Sequence, residues 1–322
     1  MRHKTILEVC NLSVSRKTNG KTIKLVRNMD FELERGGILG IVGESGSGKE
    51  ILPKVLLGLL DSKQNFLSGE VLYLEKDILT MDERDLKKIR GREIAHVSSH
   101  ALKALNPHMT IGRQLGILEK HYGSECSRES IDEVLENLGI ENLKGIRKTY
   151  AFRLGEELAY RILLAMAVIS KPKILIVEDP ESAFDGLKKK EILVLLKKIS
   201  IDYRISIIIE TSDFDAARLL CDRVIIMYGG LVVEEGTVNQ LIDKAGHPYS
   251  VGLVKSLESF AGKSEEVYSI NESENRLDET LRRCPFAERC GRGKFYCVEE
   301  MPELAGEGIH KVRCFNPVGG AE

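Results

Sequence analysis

No stretch of this chain approaches the roughly 18 to 20 consecutive apolar residues that a membrane-spanning helix needs. Its longest apolar run, ILLAMAVI, covers only Ile162 to Ile169. The opening MRHKTILEVC lacks the apolar core of a secretion signal. Together these absences predict a cytosolic chain, one still able to dock on a membrane protein. An excess of one charge is missing too, since 47 Lys and Arg stand against 49 Asp and Glu for a net charge of −2. That balance offers a polyanion little attraction, so nucleic acid is not an expected partner. No C-x-x-C pair occurs, which removes the tight knuckle of most zinc sites. No Phe, Tyr or Trp occurs in the first thirty residues, and there is no repeat or low-complexity tract.

What is present has the composition of a globular protein: 322 residues, 43% apolar and 30% charged. That length suits one large domain or two smaller ones. TILEVCNLSVSR and MDFELERG alternate apolar and polar residues and predict strands. GILGIV runs straight into the glycine loop VGESGSGKE, and KEILPKVLLGLL should follow as a helix. KILIVED and ISIIIE read as continuous apolar strands of a buried parallel sheet. RVIIMYGGLVVEEG reads as a hairpin turning at Gly229-Gly230. Strand and helix alternating around such a loop predict an α/β nucleotide-binding core. Residues 98–170 carry helical periodicity instead and read as a helical insertion. The polar stretch 264–279 reads as a linker or surface segment.

The loop has the phosphate-binding form G-x-x-x-x-G-K-[ST] up to its last position. Gly43, Glu44, Ser45, Gly46, Ser47, Gly48 and Lys49 fit, but Glu50 replaces the hydroxyl residue that would hold Mg²⁺. Backbone N–H groups at a helix start cradle phosphate, and Lys49 adds a point charge. A carboxylate at Glu50 can bind Mg²⁺ but must share space with phosphate. Two like charges about 4 Å apart cost roughly 4 kcal/mol at an effective dielectric near 20. Glu50 could equally neutralise Lys49 and leave the loop self-satisfied.

Of seven cysteines, Cys10, Cys126 and Cys221 stand alone and read as small buried hydrophobes. Cys284, Cys290, Cys297 and Cys314 crowd into the tail, and in a reducing compartment such a cluster suggests metal before disulfide. Four thiolates can hold a [4Fe–4S] cluster or zinc.

Taken together, these segments resemble the ATP-binding subunit of an ABC importer for oligopeptides, dipeptides or nickel. The marks are KILIVEDPESAFD, with Ser182-Ala183-Phe184-Asp185 near S-A-L-D, then ALNPHMTIGRQL, GHPYS and the cysteine tail. The resemblance implies a nucleotide-binding domain over 1–245, holding an antiparallel β subdomain and the helical subdomain of about 98–170. A small cysteine-bearing extension over 246–322 follows. It implies ATP as ligand, with Mg²⁺ in doubt at Glu50, and favours [4Fe–4S] over zinc in the tail. It further implies a head-to-tail dimer, two membrane permease subunits, an extracytoplasmic substrate-binding protein and a peripheral place on the cytoplasmic face of the membrane.

The departures from that pattern are as telling as the matches. Walker B should end in Asp-Glu and here reads Glu178-Asp179. The reach of each side chain is then wrong by one methylene, and about 1 Å of misplacement can cost on the order of a hundredfold in rate. The Q-loop glutamine falls at Ser99 and the switch histidine at Ser212. The signature L-S-G-G reads Leu154, Gly155, Glu156 and Glu157, whose carboxylates suit the helix dipole and read as capping. Arg16 occupies the place of the aromatic that would stack on adenine, and a guanidinium can also stack there. The expected function is a degenerate nucleotide-binding subunit working in a heterodimer with a second ATP-binding chain. The alternatives are a slow but active transport ATPase, or a soluble ABC-type protein acting on nucleic acid.

Overall fold

The computed structural model describes residues 4–18, 20–123, 126–182, 184, 186–260 and 282–319, with only the backbone of 257–260. The expected linker 264–279, and Ala183 and Asp185 of the Walker B-following segment, lie outside the described residues. The fold is mixed α/β. It divides into two compact units, 1–34, 38–81 and 210–322 in one, 35–37 and 82–209 in the other.

The first unit contains a four-stranded sheet and strands of an eight-stranded one. Alternation in TILEVCNLSVSRKT folds as the strand Thr5–Thr18, which buries Leu7, Val9, Leu12 and Val14. It sits between antiparallel neighbours Lys21–Glu34 and Asn65–Tyr73, with the short Lys76–Asp77 at the far edge. Each fully buried aliphatic side chain there contributes roughly 1.5–3 kcal/mol. In the other sheet, Ile38–Val42 runs parallel to Arg223–Tyr228. The latter turns back through Gly229 and Gly230, at φ 57° and 78°, into Leu231–Thr237. Positive φ at both turn residues is the requirement of a tight hairpin, which glycine meets without steric cost. Leu231–Thr237 then receives the tail strands His310–Val312 and Ala305–Glu307.

One carboxylate organises this attachment. Glu234 is fully buried, accepts the N–H groups of Gly246 and His247 at 2.8 and 2.9 Å, and meets His310 Nε2 at 2.9 Å. The GHPYS turn and the tail are thus held by one side chain.

The second unit carries the strands Ile94–Val97 and Ile174–Glu178, parallel to each other, with residues 206–209 of the strand Ser206–Thr211 beside the latter. Its helices include Ile111–Tyr122, Arg128–Asn137, Glu156–Val168 and Gly186–Tyr203. The helix expected across KEILPKVLLGLL is much shorter, a 3-10 turn over Lys49–Ile51 and an α-helix over Leu52–Leu56. Pro53 stands in its first turn, where a missing N–H breaks no α-helical bond, and Gly58 takes φ 58° just beyond the end. Cys126 and Cys221 are buried as expected, but Cys10 is only half-buried on its strand and bonds to Glu8 at 3.5 Å.

Candidate functional site

The Ile38–Val42 strand is buried at every position and delivers the glycine loop to its end. Gly43 donates its N–H to Thr211 C=O at 3.1 Å, and a Cβ there would meet Met227 O and Ser47 Oγ, each at 2.6 Å. Gly46 and Gly48 take φ 76° and 98°. At Gly48 a Cβ would also run into the Leu25 carbonyl. Ser47 N–H closes the loop onto Glu44 C=O at 3.1 Å. The N–H groups of Gly46, Gly48 and Lys49 donate to no described residue. Ser47 Oγ and Glu50 Oε2 are buried and likewise have no hydrogen-bond partner. Buried polar atoms left this way cost free energy until something binds them. Lys49 and Glu50 form no ion pair, so the self-satisfied loop considered above is not what folds.

Two residues outside the loop steady it. Tyr249, fully buried in the GHPYS segment, accepts the N–H of Glu44 on its hydroxyl at 3.1 Å. Arg289, from the tail, donates to both carboxylate oxygens of Glu44 at 2.8 and 3.1 Å and to Tyr228 OH at 3.1 Å. Sequence reading missed both roles. Ser212 is exposed at the start of the turn in which Thr211 Oγ1 accepts from Asp213 N–H and Asp213 caps the next helix. Arg16 spends its Nε–H on Asn65 Oδ1 at 3.1 Å, a strand-to-strand bond within the antiparallel sheet.

The remaining expected residues belong to the second unit. Glu178 ends its strand half-buried, and Asp179 follows at φ 34°, a left-handed value uncommon for a residue with a side chain. His96 Nε2 lies 3.9 Å from Glu178 Oε2, a neighbour the sequence did not single out. Ser99 Oγ bonds its own neighbour, His100 Nδ1, at 2.9 Å. Leu154 is buried and Gly155 caps the Glu156–Val168 helix without a side-chain bond. Glu156 and Glu157 stand in its first turn, where carboxylates suit the helix dipole. Glu157 pairs with Lys188 at 2.7 Å and Arg161 at 3.4 Å, and the Lys188 bond holds its carboxyl below the usual carboxylate range.

The four tail cysteines line one cavity together with His247, Phe286 and Arg292. No disulfide joins them. Backbone N–H groups reach the sulfurs of Cys284, Cys290, Cys297 and Cys314 from Phe286, Arg292, Lys294 and Asn316. Burial pushes the Cys284 thiol up to about 11, with the other three thiols adding to it, and also raises Cys290 and Cys314. Yet among the described residues no three His, Cys, Asp or Glu side chains are drawn close enough to hold a metal. The cysteines fit a four-thiolate set in number, type and N–H···S support, without closing on its centre.

Comparison with known proteins matches two segments of the chain. Residues 26–182 match the ABC transporter family, and residues 233–297 match the oligopeptide/dipeptide transporter C-terminal region. The chain is 33% identical over 319 residues to the oligopeptide transport ATP-binding protein AppD of Bacillus subtilis, covering 97% of this chain and 96% of that one. The chain belongs to the ABC transporter family. Within it, the oligopeptide transport ATP-binding protein OppD of Salmonella typhimurium is 30% identical over 317 residues, covering 97% and 94%. Among solved structures, the MJ0796 cassette bound to ADP and Pi aligns at TM-score 0.64 and 24% identity, covering 72% of this chain and 98% of that one. The cbiO1 subunit of Clostridium perfringens aligns at TM-score 0.64 and 22% identity, covering 81% and 98%. These two likenesses establish the ABC ATPase fold. Among the described residues no helix is long and apolar enough to cross a membrane.

Proposed function

We propose that this chain is a nucleotide-binding subunit of an ABC importer for peptides, nickel or another small solute, in which nucleotide binding outlasts hydrolysis. The observation that carries the reading is the contrast inside one fold. The loop amides of Gly46, Gly48 and Lys49 have no acceptor among the described residues, whereas Ser99 and Ser212 are too short to replace the residues that handle water and γ-phosphate. The N–H groups and Lys49 would bind the phosphates, and Glu50 would oppose them at close range. Glu178 and Asp179 retain two negative charges at the strand end, with the two side-chain lengths exchanged.

The names of AppD and OppD, both oligopeptide transport ATP-binding proteins, support peptide cargo. In this reading 1–245 is the nucleotide-binding domain, with a helical subdomain over about 98–170, and 246–322 is the extension. The chain pairs head to tail with a second ATP-binding subunit and engages two permease subunits at the cytoplasmic face of the membrane. An extracytoplasmic binding protein delivers the solute. Cys284, Cys290, Cys297 and Cys314 would hold a [4Fe–4S] cluster, zinc being the alternative, and the bound group would serve as a cross-link within the tail.

A second reading, slow hydrolysis by this chain itself, draws on Glu50 Oε2, buried and unpartnered, as a carboxylate ligand for Mg²⁺. Purifying the chain with whatever accompanies it, then measuring ATP binding and turnover on that complex, tests both. Recovery with permease subunits and binding with little turnover by this chain's own site supports the first. Turnover abolished by Glu50→Ala alone supports the second.

A further inference from the structure

The tail reaches the glycine loop through one arginine, and this contact has the form of a device for setting loop geometry. Arg289 is separated from Glu44 by 245 positions in sequence. Its side chain is only 7% exposed, while that of Glu44 is 35% exposed. Both N–H···O bonds of the fork are made, at 2.8 and 3.1 Å, and the same Nη1 also donates to Tyr228 OH at 3.1 Å. The guanidinium lies 5.5 Å from the Tyr228 ring centre and 5.9 Å from that of Phe286. A planar fork held on two rings fixes a carboxylate in position as well as in charge.

Glu44 is thereby fixed through three separate groups. Arg289 holds the carboxylate, Tyr249 OH accepts the backbone N–H, and Ser47 N–H donates to the carbonyl. The residues that follow Glu44 carry the amides of Gly46, Gly48 and Lys49, which have no acceptor among the described residues. Released from Arg289, the carboxylate would sit in the loop as an uncompensated negative charge and free the first turn of the cradle to move.

We propose that Arg289 is a positioning residue for nucleotide binding, acting through Glu44 to keep the loop amides turned toward phosphate. The tail is then part of the nucleotide site. This rests on the reading of the loop as a nucleotide site, which Lys49→Ala tests separately.

The experiment is calorimetric binding of ADP to the full chain, as purified, with Arg289→Ala, Glu44→Ala, the double variant and Lys49→Ala. Arg289→Ala and Glu44→Ala should each weaken binding about tenfold or more, as expected for losing hydrogen bonds to a charged group. The double variant should bind no worse than either single one, because both changes remove the same link. Arg289→Lys, which keeps the charge but not the fork, should not restore affinity. Glu44→Ala leaves every tail residue in place, so it decides the matter even if Arg289→Ala disturbs the tail. Unchanged affinity in Glu44→Ala, or losses that multiply in the double variant, would overturn the proposal. Binding unaffected by Lys49→Ala would instead remove the nucleotide reading beneath it.

Discussion

His96 Nε2 stands 3.9 Å from Glu178 Oε2, so the strand Ile94–Val97 places an imidazole against the acidic end of Ile174–Glu178. Burial lowers the His96 pKa below its ordinary value of 6.5, and Glu178 opposes that shift without reversing it. The folded chain therefore keeps His96 neutral at a pH where the unfolded chain has already taken up a proton. Stability from this group is complete above the unfolded pKa and is lost as pH falls below it. The slope is at most about 1.4 kcal/mol per pH unit for one proton. His96→Met should flatten the acid arm between pH 7.5 and 5.5, read as urea midpoints. An identical slope in the variant would show that His96 is not the titrating group.

Nucleotide affinity should survive better than turnover. Lys49→Ala should weaken ADP binding at least tenfold, in keeping with about 1.5–3 kcal/mol for bonds between charged groups. Steady-state hydrolysis by the isolated chain should stay far below about 10 s⁻¹, the median enzyme rate. Loss of a single positioned group typically costs about a hundredfold or more, although groups acting together are not additive. Brisk turnover by the pure chain would reject this expectation.

Gly43 and Gly155 make a matched pair for testing loop geometry. A Cβ on Gly43 would lie 2.6 Å from both Met227 O and Ser47 Oγ, whereas a Cβ on Gly155 meets nothing within 4 Å. Gly43→Ala should displace the loop, abolish tight ADP binding and cost about 1–3 kcal/mol through overpacking. Gly155→Ala should leave both affinity and melting behaviour close to the parent. Equal effects of the two changes would contradict the crowding described at Gly43.

The frame of this fold was legible because its signals are local. Gly229-Gly230 can serve a tight hairpin turn wherever it occurs between strands, and GILGIV leading into GESGSGK needs no distant partner to be recognised. The helix after the loop was overestimated because apolar periodicity runs on past Gly58, whose left-handed φ of 58° closes the helix. At the site, motif spacing pointed to single positions such as Ser99 and Ser212, and their short side chains limit what they can reach. The Arg289–Glu44 link was invisible because 245 positions separate the partners and neither residue type is unusual. Its nearest signals were the GHPYS segment, which supplies Tyr249, and an arginine directly before Cys290. The Glu157–Lys188 pair was not legible because Lys188 comes from another helix.

Protein prepared without oxygen should carry iron and acid-labile sulfide. Cys290→Ser or Cys297→Ser should lose the metal and expose the tail to protease, since metal binding and local folding are coupled. Chelation should have the same effect on the parent. Stoichiometric zinc with no iron would decide for the alternative, and a metal-free tail that resists protease would reject both.

The final expectation concerns pairing, and it follows from changes on both faces of one chain. In a head-to-tail dimer each nucleotide site combines the loop of one subunit with the signature of the other. A homodimer of this chain would hold Glu50, Ser212 and Glu178-Asp179 opposite Gly155-Glu156-Glu157 at both sites. With an ordinary partner, one site gains a sound signature but keeps the altered residues, and the other has a sound loop facing Glu156 and Glu157. Residual hydrolysis should therefore belong to the partner's loop. Glu157 is already engaged by Lys188 and Arg161, whereas Glu156 has no ion-pair partner among the described residues. Changing Gly155→Ser, Glu156→Gly and Glu157→Gly together removes both carboxylates and leaves Lys188 and Arg161 to favour an anion. Open space around Gly155 accommodates the serine, and lost surface ion pairs cost only about 0–1 kcal/mol each. This triple change should raise hydrolysis by the complex more than Glu50→Ser alone, which leaves Ser99, Asp179 and Ser212 in place. The measurement is turnover of the co-purified complex for both variants. Greater recovery from Glu50→Ser, or an ATP-dependent homodimer of the pure chain, would count against the heterodimer.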